Sequence, residues 1–410
     1  MKITDIECIH VAIPKVSSNI IGGSNAYEGN PYREETTEHM NQFVDTVPHF
    51  GHSVSCIVKV YTDEGIVGYG EAGNDKRCDI ERIKQNLIGM DVFDLSYLSN
   101  FTMQGRGNTL RNFAKNIDLP RTKEMSAIEF ALWDIIGKKL NQPVYKLLGG
   151  KVREKVPITL FLGERPIDEC IADIDRAMKQ GIKTVKLKVG CNDKRDVELF
   201  QEVRRQFGYD LAVRIDPNAA WTVPEAIRML KRMEKYNPQY VEGALKKTEN
   251  YGFRRIREAT GVPVCICEQF NGYIEMTTEQ ALTRVVELIR MKAFDVLSVD
   301  PSRTGGLLGF TKVCAVCEGA GLQVVTHRAL TSVSQATWLT GIVCSRSANL
   351  AQDIVPIGHP SGALYDTVEE TLPVENGYMK PWDAPGWGLT IKDDVLKKYE
   401  CVDKNYCCNH

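Results

Sequence analysis

Three acidic residues follow short apolar runs in the middle of the chain. Asp216, Glu242 and Glu268 each close a hydrophobic run, and 26 residues separate each from the next. If these runs are successive parallel strands joined by helices, the three carboxylates leave the sheet at the same end. Their mutual repulsion is then tolerable only with a cation between them. The spacing therefore predicts a divalent metal site.

Four further charged residues occupy similar positions at the ends of apolar runs. Lys186 and Lys188 share one face of a strand, because strand side chains repeat every two residues. Asp300 and His327 end two later runs. For any one of these residues, a solvated or core position is the ordinary interpretation. Strands buried on both faces do not tolerate unpaired charge, however, so the lysines and carboxylates need each other or a metal, and the whole set predicts a functional cluster.

The elements that must position these residues are eight repeated units. After residue 152, short apolar runs alternate with helical stretches of about a dozen residues. The runs are residues 156–162, 184–189, 211–216, 240–242, 264–268, 296–300, 322–327 and 349–353. Eight such units predict an α/β fold of the closed (β/α)₈ TIM-barrel type, in which reactive groups lie at the carboxyl ends of the strands. An open doubly wound sheet is the alternative, but no Gly-x-Gly-x-x-Gly pattern follows any run.

The two ends of the chain have a different pattern. Residues 2–13 and 54–61 alternate as strands do, with a turn at 62–65, and helical patterns dominate residues 80–140. Beyond residue 362 the βα rhythm is lost. We therefore predict an α+β capping domain at 1–152, the barrel at 153–361, and a C-terminal segment at 362–410 that returns to the capping domain.

The bulk composition excludes several classes of protein. A formal net charge of −2 over 410 residues leaves no basic excess for nucleic acid. No apolar stretch of about 18 residues predicts a membrane span, and the first residues lack the apolar core of a signal peptide. The 13 cysteines are an odd, scattered number, which indicates reduced thiols used for packing. A cytoplasmic location without membrane association is expected.

Over nearly its whole length the chain resembles the mandelate racemase subgroup of the enolase superfamily. The resemblance rests on several features that occur in the same order. These are the hairpin 58–71, the helix 131–138 leading to Gly149-Gly150, Lys186-x-Lys188, Asp216-x-Asn218, the acidic residues Glu242 and Glu268, the Asp300/His327 pair, and Gly305-Gly306.

This resemblance implies a metal and two bases. Mg²⁺ would be held by Asp216, Glu242 and Glu268. Lys188 and His327 would act as bases on opposite faces of a small-molecule carboxylate substrate, with Asp300 orienting the imidazole. The like charge of Lys186 is expected to favour a neutral Lys188 amine. A homo-oligomer is also expected from the resemblance.

Substrate recognition is where the chain departs from its relatives. Mandelate racemase-like members carry a glutamate at the end of the eighth strand, where this chain has Asn349-Leu-Ala-Gln-Asp353. We expect Gln352 or Asp353 to replace that glutamate, and Asn218 to lie beside the metal or the catalytic lysine. The long segment 14–52 is expected to close over the site. Its candidate residues for reading substrate hydroxyls are Tyr27, Asn30, Tyr32 and Arg33.

These features predict an Mg²⁺-dependent lyase that dehydrates an acid sugar, an aldonate or aldarate, to a 2-keto-3-deoxy acid. The alternative from the same chemistry is a racemase, epimerase or cycloisomerase of a carboxylic acid. A noncatalytic binding protein on the same fold is the alternative from a different class, although buried charges would then be an unrelieved cost.

Overall fold

The computed structural model describes residues 1–14, 52–72, 80–101, 122–163, 166–246, 249–267, 270, 277–327, 331–354, 367–370 and 373–400. The predicted site residues that lie outside these ranges are Tyr27, Asn30, Tyr32, Arg33 and Glu268. Within the described ranges, no helix is long and apolar enough to cross a membrane.

The N-terminal region begins with an antiparallel meander of three strands. It consists of β1 (Ile3–Pro14), β2 (His52–Thr62) and β3 (Val67–Glu71), in that order across the sheet. The predicted turn joins the last two strands, where Gly65 adopts a φ of +77° that favours glycine. The alternating pattern of the sequence is thereby confirmed as a sheet.

Helices follow this meander in the chain. They are α1 (Glu81–Lys84), α2 (Leu95–Phe101), α3 (Thr122–Lys139) and α4 (Val144–Leu147). The helix α3 packs directly on β3, because Gly68 and Gly70 leave its backbone room. A Cβ on Gly70 would lie 1.8 Å from the carbonyl oxygen of Ala127. Residues 123–137 are buried without a break, since the sheet covers one side of α3 and the barrel covers the other.

The barrel begins after α4. Its strand segments are β4 (Val156–Pro157), β5 (Leu160–Leu162), β6 (Thr184–Lys188), β7 (Ala212–Asp216), β8 (Tyr240–Glu242), β9 (Val264–Ile266), β10 (Val296–Val299) and β11 (Gln323–Thr326). Among the described residues, β5 to β11 form one curled parallel sheet in chain order. This order is that of a (β/α)₈ barrel, and each of these strands lies in a predicted run.

Helices alternate with these strands. They are α5 (Ile167–Lys179), α6 (Asp193–Phe207), α7 (Val223–Met233), α8 (Asn250–Ala259), α9 (Thr278–Arg290), α10 (Leu307–Gly319) and α11 (Ser332–Cys344). Most of them bury one stripe of residues, whereas residues 332–343 of α11 are all buried. The reason is that α11 also packs against β3 and α4 of the capping region.

The eighth predicted run, residues 349–353, joins the sheet at Gln352. Gln352 forms a parallel bridge with Ile158, in which its backbone N–H donates to the carbonyl oxygen of Pro157 at 2.7 Å and its carbonyl oxygen accepts from the backbone N–H of Thr159 at 3.0 Å. On the other side, the Gln352 side chain accepts from the backbone N–H of Thr326 at 2.8 Å and donates to the carbonyl oxygen of Val324 at 3.3 Å. Gln352 therefore joins the two edges of the sheet through its backbone on one side and its side-chain amide on the other.

The C-terminal residues contact both the first barrel segment and the N-terminal sheet. The short strand β12 (Tyr378–Met379) pairs antiparallel with β4. Helix α12 (Asp393–Lys398) places Leu396 in a small core with Ile9, Val11 and Ile57. The limits 1–152, 153–361 and 362–410 stay a prediction.

Candidate active site

The register of β6 and β7 places Lys188 beside Asp216. Lys188 Nζ donates to Asp216 Oδ2 at 2.6 Å and to Asn218 Oδ1 at 2.6 Å. The backbone N–H of Asn218 donates in turn to Asp216 Oδ1 at 2.9 Å. Asn218 has a φ of +48°, a left-handed conformation that asparagine tolerates well. The sequence Asp-Pro-Asn therefore forms a turn that presents two oxygens to one ammonium group.

Lys186 lies deeper in the barrel and has its own carboxylates. It is 4% exposed, donates to Glu242 Oε2 at 2.9 Å, and also donates to Asp353. Burial lowers the pKa of Lys186, but the negative charges of Asp353, Glu242 and Asp216 outweigh that effect and raise the pKa well above its ordinary value. Each lysine is thus paired with carboxylates, and these negative charges oppose the expected repulsion between Lys186 and Lys188.

A second buried cation explains the position of Asp353. Arg214 is fully buried, donates to Thr159 Oγ1 at 2.9 Å, and contacts Asp353 Oδ1 at 3.4 Å. Asp353, 1% exposed, therefore lies between Lys186 and Arg214. Burying two cations without an anion would be costly, and Asp353 provides the compensation.

The two residues expected to replace the strand-eight glutamate both have protein partners. Gln352 or Asp353 was predicted to replace a substrate-binding glutamate. The amide of Gln352 is instead used in joining the sheet edges, at 0% exposure, and the carboxylate of Asp353 is paired with two interior cations. Both side chains bind protein groups.

The described carboxylates of the predicted metal site are buried and close enough to interact. Burial raises the pKa of Asp216, but Lys188 and Lys186 outweigh it, so the pKa lies below its ordinary value. Burial also raises the pKa of Glu242, and the charges of Asp216 and Asp353 add to this rise, so the pKa lies above its ordinary value despite the opposing charge of Lys186. Two mutually repelling carboxylates form a hard oxygen donor set, and this set fits Mg²⁺. The third predicted ligand, Glu268, lies outside the described residues.

Asp300 and His327 follow two neighbouring strands. Val299 pairs with Thr326, and the backbone N–H of His327 donates to the carbonyl oxygen of Val299 at 2.7 Å. Burial raises the pKa of Asp300, but the positive charges of Arg303, Lys123 and His327 outweigh it and lower the pKa. The two residues thus lie at the ends of adjacent strands, and their action as a pair stays a prediction.

The capping helix α3 contacts the loop that follows Asp300. Ser126 Oγ donates to the carbonyl oxygen of Ser302 at 2.9 Å. Glu129 accepts from the backbone N–H groups of Leu307 at 2.9 Å and Leu308 at 3.0 Å. With Lys123, these polar residues recur every third position along a buried stretch of the helix. This recurrence is the signal in the sequence that marks the contact between the capping helix and the barrel.

A second capping carboxylate holds the helix that follows His327. Glu71, at the end of β3, accepts from Ser55 Oγ at 2.5 Å, from the backbone N–H of Ser334 at 3.0 Å, and from Thr331 Oγ1. Burial raises the pKa of Glu71 to about 7. Burial likewise raises the pKa of Glu129 to about 7. Two carboxylates of the capping region thus bind the N-termini of α10 and α11, the helices that follow Asp300 and His327.

Comparison with protein families agrees with this architecture. Residues 169–395 match the family described as "Enolase C-terminal domain-like". Residues 43–149 match "Mandelate racemase / muconate lactonizing enzyme, N-terminal domain". The two matched regions correspond to the barrel and to the capping region.

Individual relatives cover most of the chain. It is 29% identical to the L-Ala-D/L-Glu epimerase of Clostridium acetobutylicum, over 81% of this chain and 90% of that protein. It is 28% identical to the arabinonate dehydratase of Saccharolobus solfataricus, over 84% and 90%. The crystal structure of muconate lactonizing enzyme from Pseudomonas fluorescens superposes with a TM-score of 0.77 at 21% identity, over 98% and 99%, and shares the fold.

Proposed function

The chain belongs to the mandelate racemase subgroup of the enolase superfamily, and we propose that it removes the proton α to the carboxylate of a small-molecule acid with the help of Mg²⁺. The observation that carries this proposal is the pairing of Lys188 with Asp216 and Asn218 at the end of β6. It puts an amine that can exchange a proton beside a carboxylate that can bind a metal.

The metal would be held by Asp216 and Glu242, with Glu268 as the predicted third ligand. When bound, Mg²⁺ supplies positive charge for the substrate carboxylate oxygens, on which negative charge develops as the α-proton leaves. The remaining chemistry belongs to side chains of the chain itself. Lys186 stays protonated between Glu242 and Asp353, and it therefore contributes fixed positive charge next to the ligands.

Two groups hold and move the protons. Lys188 Nζ accepts or returns a proton on one side of the substrate, and the imidazole of His327 does so on the other. Asp300 orients that imidazole and stabilises its protonated form by charge. Asn218 keeps the Lys188 ammonium aligned through its 2.6 Å contact.

The finer proposal is dehydration of an acid sugar. After the α-proton is removed, the His327 imidazolium gives its proton to the departing β-hydroxyl, which leaves as water. The resulting enol tautomerises to a 2-keto-3-deoxy acid. Support comes from relatives named arabinonate dehydratase, from S. solfataricus, and D-galactonate dehydratase, from Cronobacter sakazakii.

A second candidate is racemisation or epimerisation, or a cycloisomerisation, of a carboxylic acid with the same two bases. It is supported by the relative named L-Ala-D/L-Glu epimerase at a similar identity. Both reactions begin with the same proton transfer, so the pairing of Lys188 with Asp216 supports both. They differ in whether a β-hydroxyl leaves.

Product analysis separates these candidates. The protein is incubated with Mg²⁺ and a panel of aldonates and aldarates, and products are tested with semicarbazide, which traps keto acids. We expect a semicarbazide-reactive product from at least one acid. Inverted configuration without a keto product would select epimerisation. Mg²⁺ binding without either change across the panel would favour a noncatalytic binding protein.

A further inference from the structure

A group of sulfur and nitrogen ligand atoms lies on the N-terminal sheet and includes none of the barrel-site residues. Cys8 and His10 share one face of β1, and His10 is the direct cross-strand partner of Cys56 on β2. The two Sγ atoms and a ring nitrogen of His10 all lie within 4.8 Å of one another. Among the described residues, this is the one His, Cys, Asp and Glu group that meets such a spacing.

The distances are close to those of a tetrahedral metal site. Zinc binds cysteine sulfur at about 2.3 Å and histidine nitrogen at about 2.0–2.1 Å. In a tetrahedron these lengths place sulfur and nitrogen about 3.6 Å apart and two sulfurs about 3.8 Å apart. Cys8 Sγ and His10 Nε2 are 3.6 Å apart. Because every pair lies within 4.8 Å, closing the site requires shifts of no more than about 1 Å.

The surroundings suit a bound ion. Cys56 is fully buried, whereas Cys8 and His10 are partly exposed, so an ion can enter from solvent and still contact an interior thiol. The three residues stand on paired strands, and this pairing keeps their spacing fixed. Two sulfurs and one imidazole are soft donors, whereas the barrel site offers carboxylate oxygens. Ligand chemistry alone therefore directs a thiophilic ion to the sheet and Mg²⁺ to the barrel.

We propose that Cys8, His10 and Cys56 bind a thiophilic divalent ion of the zinc class. Both cysteines bind as thiolates and release their protons to solvent, His10 binds in its neutral form, and the fourth position is open to water or another ligand. Neither oxidation nor reduction is involved. The ion would link β1 to β2, and this site does not depend on the proposed function of the barrel.

Cobalt provides the test, because Co²⁺ bound by thiolate has a sulfur-to-metal charge-transfer band and Co²⁺ bound by carboxylates does not. The reduced full chain is titrated with Co²⁺ in excess Mg²⁺, which occupies the oxygen site. We expect a charge-transfer band that saturates at one ion per chain and is abolished by one equivalent of Zn²⁺. Absence of the band overturns the proposal.

Variants locate the ion. Cys8→Ser, Cys56→Ser and His10→Ala should each weaken Co²⁺ binding by more than the roughly 10–100-fold that loss of an outer-shell partner costs. Cys344→Ser, a partly buried thiol of α11, should bind as the wild type does. Circular dichroism confirms folding of each variant. A band that persists in Cys8→Ser/Cys56→Ser, or a Cys8–Cys56 disulfide that forms in place of the metal site, would overturn the assignment.

Discussion

The carboxylate of Glu129 accepts the backbone N–H of Leu307 at 2.9 Å, a contact across 178 residues of sequence. It joins the capping helix α3 to the first turn of α10, directly after the loop that carries Asp300. Because Glu129 also accepts from Leu308 and from Trp133 Nε1, a single buried side chain satisfies three donors. The capping region therefore helps to fix the loop that carries Asp300 of the predicted Asp300/His327 pair.

Gly306 is where this contact is most sensitive to substitution. Its φ is +97°, and an added Cβ would lie 2.4 Å from Glu129 Oε2. We expect Gly306→Ala to destabilise the protein by about 2 kcal/mol or more and to lower kcat, because the Asp300 loop must shift. Gly319→Ala, at the other end of α10 with open space around its Cβ, should be neutral or slightly stabilising. Equal melting temperatures for the two variants would contradict this prediction.

The raised pKa of Glu129 predicts the direction in which the free energy of unfolding changes with pH. In the folded protein the pKa is about 7, above the ordinary value of 4.5, so the folded state binds more protons between these values. Glu129 therefore makes its full contribution to the free energy of unfolding below about pH 4.5. This contribution is lost as the pH rises through about 7, by on the order of 3 kcal/mol. Glu71 adds a change of the same sign.

Glu129→Gln should therefore reduce the change in the free energy of unfolding between about pH 5 and pH 8. It should also lower the free energy of unfolding overall, because it replaces one acceptor of a helix N–H by a donor. The groups that face Glu129 are Trp133, the α10 N–H donors and the charge of Lys312. Glu198→Gln, at an exposed position of α6, is the control. Denaturation at each pH measures the effect, and an unchanged pH slope in Glu129→Gln would disprove it.

Replacement of Asp353 tests whether that residue binds substrate or interior cations. Asp353→Asn leaves Lys186 and Arg214 without their shared carboxylate, and we expect a loss of about 3–5 kcal/mol of stability. Urea denaturation measures this loss, and steady-state kinetics measures KM. A raised KM with unchanged stability would instead support the substrate-binding role expected from the sequence.

The two-base assignment predicts that Lys188→Ala and His327→Asn each abolish turnover and remain folded. Lys188 is partly exposed, and Lys186 stays near Asp216 when Lys188 is removed, so the variant should still fold, with a lower melting temperature because Asp216 loses its paired ammonium group. Circular dichroism and product formation measure the two properties. Either variant turning over the true substrate at the wild-type rate would show that the residue is not one of the two bases.

Local pattern was sufficient to predict much of the barrel. The apolar runs that precede Lys188, Asp216 and Glu242 are confirmed as the parallel strands β6, β7 and β8. Each run is buried on both faces, and a charged residue at its end is visible in the sequence. The capping sheet was likewise readable from its alternation and its turn residues.

Pairs of buried opposite charges that are distant in the sequence were not predictable from local pattern. Arg214 lies within an apolar strand, and its contact Asp353 is 139 residues away. Nothing in either local sequence indicates the other. Gln352 pairs through its backbone with Pro157 and Thr159 but through its side chain with Thr326, and periodicity does not report which group makes a hydrogen bond.

Incorporation of solvent deuterium tests the central claim most directly. The protein is incubated in deuterated water with Mg²⁺ and a panel of carboxylic acids, and recovered acids and products are examined by NMR. We predict deuterium at the α-carbon of an acid, or at the adjacent carbon of its keto product, that disappears with chelator and in Lys188→Ala. Protein that binds Mg²⁺ but transfers no deuterium to any acid, or transfers it equally well without Lys188, would contradict the account.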